Sequence, residues 1–230
     1  FLDVDGTLLP IEDRPDDVVA SAAVTALLQR LAERLSGALA LVSGRPLSEI
    51  DRLFAPLKLP AAGAHGSEFR RDERGAEAQS PPSLTAAIVT QLQQFAAQHE
   101  GLLLEDKPHG VALHYRARPE LETESRGAVN RAAAAAGSEF SIIAGKMVFE
   151  LTPAAFDKGR AIERFLDGAP FAGRRPVFIG DDVTDESGFE CVNRLGGVSV
   201  RVGENTASAA AHALDDVTAV HAWLYELAGQ

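Results

Sequence analysis

The chain has 230 residues, with 22 Lys plus Arg against 33 Asp plus Glu and a formal charge of −11; that length suits one or two domains, and the acidic excess argues against a nucleic-acid binder, whose affinity rests on clustered cations. Its single cysteine, Cys191, excludes an intrachain disulfide and a cysteine-ligated zinc site. No apolar run approaches the roughly 18–20 residues of a membrane-spanning helix and no secretory or transit segment opens the chain, so a soluble, cytoplasmic protein is expected.

Phe1 and Leu2 alone precede the first acidic cluster, short of the about five or six residues of a typical strand, so the chain is expected to start in mid-strand. Past Thr7 comes a loop with Pro10, Asp13 and Pro15. Asp16 and Asp17 then lead into Val18, Val19, Ala22, Ala23, Leu27, Leu28, Leu31 and Leu35, and the three- and four-residue apolar steps ahead of Gly37 predict an amphipathic helix. Leu39–Val42 is uniformly apolar, as in a strand covered on both faces, and stops at Ser43-Gly44-Arg45-Pro46, where the proline can open a helix. A further apolar segment, Leu59–Ala64, ends at His65-Gly66.

Residues 70–82 form a polar, proline-containing break, and a domain boundary is placed there. Beyond it Leu84–His99 reads as helix, Leu102–Glu105 and Val111–Tyr115 as strands, and Glu120–Ala136 as a close-packed helix. Phe140–Ile143 and Met147–Leu151 pair across Ala144-Gly145-Lys146, a hairpin signal. The order suggests a small α+β unit with antiparallel pairs. From Pro153 the first rhythm resumes: helix Lys158–Leu166, strand Val177–Gly180, a helix near Glu186–Leu195, strand Val198–Val202, and helices Ala207–Ala213 and Val217–Leu227. The predicted fold is α/β, a doubly wound core over residues 1–79 and 153–230, interrupted by an inserted domain over 80–152.

In such sheets ligands bind beyond the carboxyl ends of the strands. Three polar clusters fall there: Asp3-Val4-Asp5-Gly6-Thr7, Ser43-Gly44-Arg45, and Gly180-Asp181-Asp182-Val183-Thr184-Asp185. The ordinary reading of each is a capped loop. Chance occurrence of Asp-x-Asp-Gly-Thr is on the order of 1% in a chain of this size, however, and two acidic clusters at buried strand ends repel unless a cation lies between them. Hard oxygen donors without nearby Cys or His favour magnesium. A metal-held phosphate beside a free carboxylate points to transfer through an aspartyl-phosphate. Lys158, at a helix start where cations are disfavoured, is the candidate clamp on the phosphate oxygens.

These segments, in this order, resemble the haloacid dehalogenase-like phosphohydrolase superfamily. The resemblance implies Asp3 as nucleophile, Asp5 as general acid/base, and Ser43 and Lys158 as phosphate holders. It also implies magnesium held by the Asp3 carboxylate, the Asp5 main-chain carbonyl and Asp181, with Asp182 and Asp185 in support. The insertion matches that superfamily's larger, second type of cap, which closes over the site with hinges expected near 79–82 and 152–156. Gly63-Ala64-His65-Gly66-Ser67-Glu68, Glu105-Asp106-Lys107 with His114-Tyr115-Arg116, Lys146-x-x-x-Glu150 and Gly-Asp-Asp-x-Thr-Asp-Glu further resemble the trehalose-6-phosphate phosphatase family. By that resemblance Glu105, Lys107, Arg116, Lys146 and Glu150 reach the disaccharide; Glu105 and Lys107, two apart on a strand, are expected to share a face, and so are Lys146 and Glu150. Gly44 and Arg45 beside Ser43, and His65 in the glycine-rich turn, are further substrate-binding candidates.

The expected reaction is magnesium-dependent hydrolysis of trehalose 6-phosphate. The alternatives are a phosphatase for sucrose 6-phosphate or a hexose phosphate, and a non-catalytic sugar-phosphate-binding regulatory domain. For the cap residues, a solvated sheet face with cross-strand ion pairs is the competing reading. A small-molecule sugar phosphate is the expected partner, with no nucleic acid or membrane; oligomeric state is left open. Trp223, Tyr225 and Cys191 read as packing residues, and His99, His109, His212 and His221 are too scattered for a metal site.

Overall fold

The structure, a computed structural model, describes residues 1–12, 17–72, 75, 77, 81–107, 109–204 and 207–229. Asp13, Pro15 and Asp16 of the first loop, and parts of the predicted break and hinge at 70–82, lie outside the described residues. The chain forms two compact units, Phe1–Gln79 with Asp157–Gln230, and Ser80–Phe156.

In the first unit, α1 (Ala22–Arg34) begins later than the acidic run suggested. Ser21 is its cap, its side chain accepting from the Val24 amide, while Val18 is buried outside the helix. Val24, Leu27, Leu28 and Leu31 are its buried stripe. β1 (Leu41–Val42) leads to α2 (Leu47–Phe54), and β1 pairs in parallel with β2 (Ala61–Gly63). β3 (Glu68–Arg70) turns back antiparallel on β2, and its last residue, Arg70, is the first of what the sequence suggested was a polar break. Arg70 explains why a polar sequence is buried there. Its guanidinium is spent on Asp51, at 2.6 and 2.8 Å, and on the Leu59 carbonyl.

The second unit begins with α3 (Ala86–Ala97), followed by β4 (Leu103–Lys107), β5 (Gly110–His114), α4 (Glu122–Ala136), β6 (Phe140–Gly145) and β7 (Val148–Pro153). The strands form one antiparallel sheet in the order β4-β5-β7-β6. Val111, Leu113, Phe149 and Leu151 pack with Ile88, Leu92, Ala128, Val129 and Ala132 of the two helices, so α3 and α4 cover one face. The alanine run of α4 is therefore packing surface, as its sequence implied. Gly110 is required at the centre, because a Cβ there would overlap the Leu151 carbonyl oxygen. Gly145 pairs with Val148, leaving Lys146 and Met147 as the hairpin turn, with Met147 left-handed at φ 61°. β7 runs through Pro153, which carries this unit to Phe156, beyond the expected boundary at 152.

Back in the first unit come α5 (Lys158–Leu166), β8 (Val177–Gly180), α6 (Glu186–Arg194), β9 (Val198–Val202), β10 (His212–Leu214) and α7 (Val217–Ala228). β8, β9 and β10 are parallel neighbours. The predicted helix over 207–213 is instead an irregular approach to edge strand β10. Ala209 N donates to Glu186 and Ala211 N to Ser199 Oγ (2.7 and 2.8 Å), and bonds of that kind hold the segment out of a helix despite its alanines. Leu2 pairs in parallel with both Leu41 and Ile179, so the opening residues join the halves of one sheet, β3-β2-β1-(1–3)-β8-β9-β10. One face is packed by α1, α2 and α7 through Leu27, Leu28, Ile50, Phe54, Val220 and Leu224. The other is packed by α5 and α6 through Ile162, Phe165, Phe189 and Val192. Among the described residues no helix is long and apolar enough to cross a membrane.

Candidate active site

Asp3 ends the central strand, Ser43 follows β1, and Asp181 follows β8. Three adjacent parallel strands thus deliver polar groups to one edge of the sheet. Gly6 lets the first and third clusters meet: its φ is +75°, and a Cβ there would overlap the Asp181 carboxylate.

Lys158 opens α5 behind its cap Asp157, whose side chain accepts from the Arg160 amide. Its ammonium lies 2.8 Å from Asp3 Oδ1 and 2.6 Å from Asp185 Oδ1, and all three residues are buried. Asp185 Oδ2 accepts from the Asp181 and Asp182 amides, each at 2.9 Å. Asp185 is thus saturated and shapes the loop. Asp182 is outside this cluster, and its Oδ1 accepts from the Val183 amide. Among the described residues the carboxylates that converge, with ligand atoms within 4.8 Å, are Asp3, Asp181 and Asp185.

Burial drives the Asp3 carboxyl well above its usual range against the pull of Lys158, and Asp185 and Asp181 add to the rise. Burial, then Asp185, pushes Asp181 up to about 7. Burial works against the Lys158 charge, but Asp185 and Asp3 outweigh it and hold its pKa above the usual lysine value. Three carboxylates against one ammonium leave a net −2, which a divalent cation would cancel, and Asp181 Oδ1 is buried with no hydrogen-bond partner. An all-oxygen donor set with an orphaned buried oxygen fits a magnesium ion.

Ser43 is buried. Its Oγ accepts from the Arg45 amide at 3.2 Å and its carbonyl from the His65 amide at 3.0 Å. Ala64 N donates to Arg45 O, and the His65 ring fills the space a Cβ on Gly44 would need. Ala64 and His65 are left-handed at φ 45° and 56°, so this turn is strained and tied to the Ser43 loop. His65 is buried against that loop.

Arg45 grips Asp5, with Nε to Oδ2 at 2.7 Å and Nη2 to Oδ1 at 2.8 Å, and reaches Glu49 at 2.9 Å. Two contributors had no role assigned from the sequence. Glu49 is the i+4 partner of Arg45, a readable spacing. Glu68 Oε2 accepts from the Leu47 amide at 2.6 Å, supplying the cap that Pro46 cannot give α2.

In the second unit Glu105 and Glu150 both pair with Ala112 and so share the sheet face opposite α3 and α4. Lys107 Nζ is 2.8 Å from Glu150 Oε2, and His114 Nε2 is 2.9 Å from Glu105 Oε2. Arg116 Nη2 lies 3.5 Å from the carbonyl of Lys146, which sits in the β6–β7 turn, so strand alternation does not place Lys146 with Glu150.

A doubly wound sheet whose strand ends gather a buried lysine and three aspartates, interrupted by an α+β insertion, is the fold of the haloalkanoate (HAD) phosphatases. A solved phosphatase of that superfamily from Bacteroides thetaiotaomicron overlays with a TM-score of 0.62 at 14% identity, over 99% of this chain and 93% of that one. The C-terminal domain of Candida albicans trehalose-6-phosphate phosphatase overlays with a TM-score of 0.85 at 21% identity, over 99% and 90%. The trehalose-phosphatase family profile matches residues 1–218. The chain is 45% identical to a probable trehalose-phosphate phosphatase of Sinorhizobium fredii over 88% of this chain and 77% of that one. It is 43% identical to trehalose-6-phosphate phosphatase of Escherichia coli, over 97% and 84%. The chain belongs to the trehalose-phosphatase family and is a phosphoric monoester hydrolase.

Proposed function

We propose that the chain hydrolyses trehalose 6-phosphate to trehalose and phosphate in two steps. An Asp3 carboxylate oxygen attacks phosphorus, and the P–O bond to the sugar breaks as Asp5 gives a proton to the departing alkoxide. Asp5 then takes a proton from water, which attacks the Asp3-phosphate and releases phosphate. Both Asp5 oxygens accept from Arg45 in this state, so Asp5 must surrender one of those contacts to carry the proton. Ser43 and Lys158 hold the phosphate oxygens, with Gly44, Arg45 and His65 shaping that pocket.

The Asp3 carboxylate, the Asp5 main-chain carbonyl and Asp181 would hold magnesium, with Asp185 and more distantly Asp182 in support; bound there, it offsets the charge of the phosphate and of the attacking carboxylate. Glu105, Lys107, Arg116, Lys146 and Glu150 are proposed to receive the sugar hydroxyls, as groups that each form several strong hydrogen bonds. Action in the cytoplasm on a free sugar phosphate completes the reading.

The observation that carries it is the buried Asp3–Lys158–Asp185 chain with Asp181 beside it, in a member of this family. The test is phosphate release from trehalose 6-phosphate, sucrose 6-phosphate and glucose 6-phosphate, with and without chelator. Trehalose 6-phosphate is expected to be fastest and chelator to abolish release. Preference for another sugar would replace the substrate, and full activity of Asp3→Asn would leave only a binding domain with adventitious hydrolysis.

A further inference from the structure

The open face of the second unit's sheet carries an arrangement beyond a set of charged residues. The register places Leu103, Glu105 and Lys107 of β4 beside His114, Ala112 and Gly110 of β5, and Val148 and Glu150 of β7 beside His114 and Ala112. The middle strand thus offers only the Ala112 methyl group between the two glutamates and the bare Gly110 beside Lys107, and its first long side chain on that face is His114. Glu105 and Glu150 flank this floor two strand spacings apart, about 10 Å.

Each glutamate has its own basic neighbour. Lys107 Nζ donates to Glu150 Oε2 at 2.8 Å, and His114 Nε2 meets Glu105 Oε2 at 2.9 Å. Lys107 is two residues from Glu105 on the same strand face, so without His114 both glutamates would compete for one ammonium. Burial opposes the Glu105 charge, but the His114 bond and then Lys107 outweigh it and hold the carboxyl below its usual range, while Glu150 works the other way. Among the described residues the Glu105 carboxylate forms no hydrogen bond other than that with His114, so its Oε1 is left to accept from a ligand.

We propose that His114 is a positioning residue for substrate selection: it fixes one oxygen of Glu105, holds that carboxylate apart from the Lys107–Glu150 pair, and presents the other oxygen to a hydroxyl of the sugar leaving group. This rests on the sugar-phosphatase reading above. His114 acts through Glu105 and touches no reacting atom. The contact needs an N–H on Nε2, which a glutamine amide can also supply.

The experiment compares wild type, His114→Ala and His114→Gln on trehalose 6-phosphate and on 4-nitrophenyl phosphate, which has no hydroxyls to read. In His114→Ala the ratio of kcat/KM for trehalose 6-phosphate to that for 4-nitrophenyl phosphate is expected to fall about tenfold, mostly through KM, the scale of one hydrogen bond to a charged group. His114→Gln is expected to recover most of that ratio. A ratio changed less than about twofold in His114→Ala, or an equal loss on both substrates, overturns the inference, because a merely structural histidine would not separate them. Wild-type protein that cleaves 4-nitrophenyl phosphate and not trehalose 6-phosphate overturns the substrate reading itself, and this inference with it.

Discussion

Replacing Lys158 with methionine keeps the side-chain volume near its own but removes the ammonium between Asp3 and Asp185. Lys158 is 2% exposed, Asp185 0%, and the Asp181 carboxylate lies in the same 4.8 Å cluster, so three carboxylates would remain without a compensating charge. Removing one partner of a buried ion pair costs about 3–5 kcal/mol. Proton uptake by Asp181, whose pKa is already about 7 and which Lys158 holds down, offsets part of this. Trp223, the one tryptophan, packs against the core beneath α1 and α7 and reports unfolding of this unit by its fluorescence. With an m-value of about 3 kcal/mol per M, the urea midpoint in chelator is expected to drop by about 1–2 M at about pH 8. Excess magnesium should restore part of the midpoint but not turnover, which is expected to fall at least about 100-fold with the loss of the phosphate clamp. A midpoint drop below about 0.3 M in chelator would refute the electrostatic argument.

Asp3→Asn should fold at least as well as wild type, since it lowers the negative charge of the cluster, yet lose turnover by about 10⁴-fold or more; phosphate release together with a urea titration checks both. Arg45→Met frees Asp5 from its two charge-assisted bonds. Its kcat/KM should therefore fall by about 10–100-fold on trehalose 6-phosphate and less on 4-nitrophenyl phosphate, whose phenolate needs no proton to leave; equal losses would contradict the positioning of Asp5. For pH, the folded state raises Asp181 from 3.8 to about 7, so its contribution to stability is full below the lower value and is lost as pH rises through the upper one. Chelated protein should lose this contribution progressively between about pH 4 and 7, and magnesium, which binds the ionised form, should raise the urea midpoint more at about pH 8 than at about pH 6. Equal magnesium effects at both would count against the ion taking the place of that proton.

Much of this molecule was legible because its local signals agree. Lys158–Leu166 and Val198–Val202 carry clean periodicity or uniform apolarity, and the structure gives α5 and β9 over those residues. The convergence of Asp3 and Asp181 followed from one rule, that functional groups gather beyond parallel strand ends, and Lys158 stood out as a cation at a helix start. What stayed hidden depends on distant partners. Alanine propensity over 207–213 was overruled by Glu186 and Ser199, which take amides of that segment from elsewhere in the chain. β3 was masked by arginines whose charges are answered by Asp51, the Leu59 carbonyl and the α5 carbonyls of Arg164 and Phe165. Asp185 looked like an accessory acid, and only coordinates reveal that its two oxygens bind Lys158 and the Asp181 loop at once. The order of Asp182 and Asp185 in importance cannot be read from their spacing.

Because the strand ending in Asp3 is also the joint at which Leu2 meets Leu41 and Ile179, the attacking carboxylate is bound to the coherence of the entire sheet. Packing defects beneath α1 and beneath α5 reach it from opposite sides through the same three residues. Conservative repacking deep in either apolar layer should therefore blur the aim of the nucleophile, and show as slower chemistry, well before it shows as an unfolded protein.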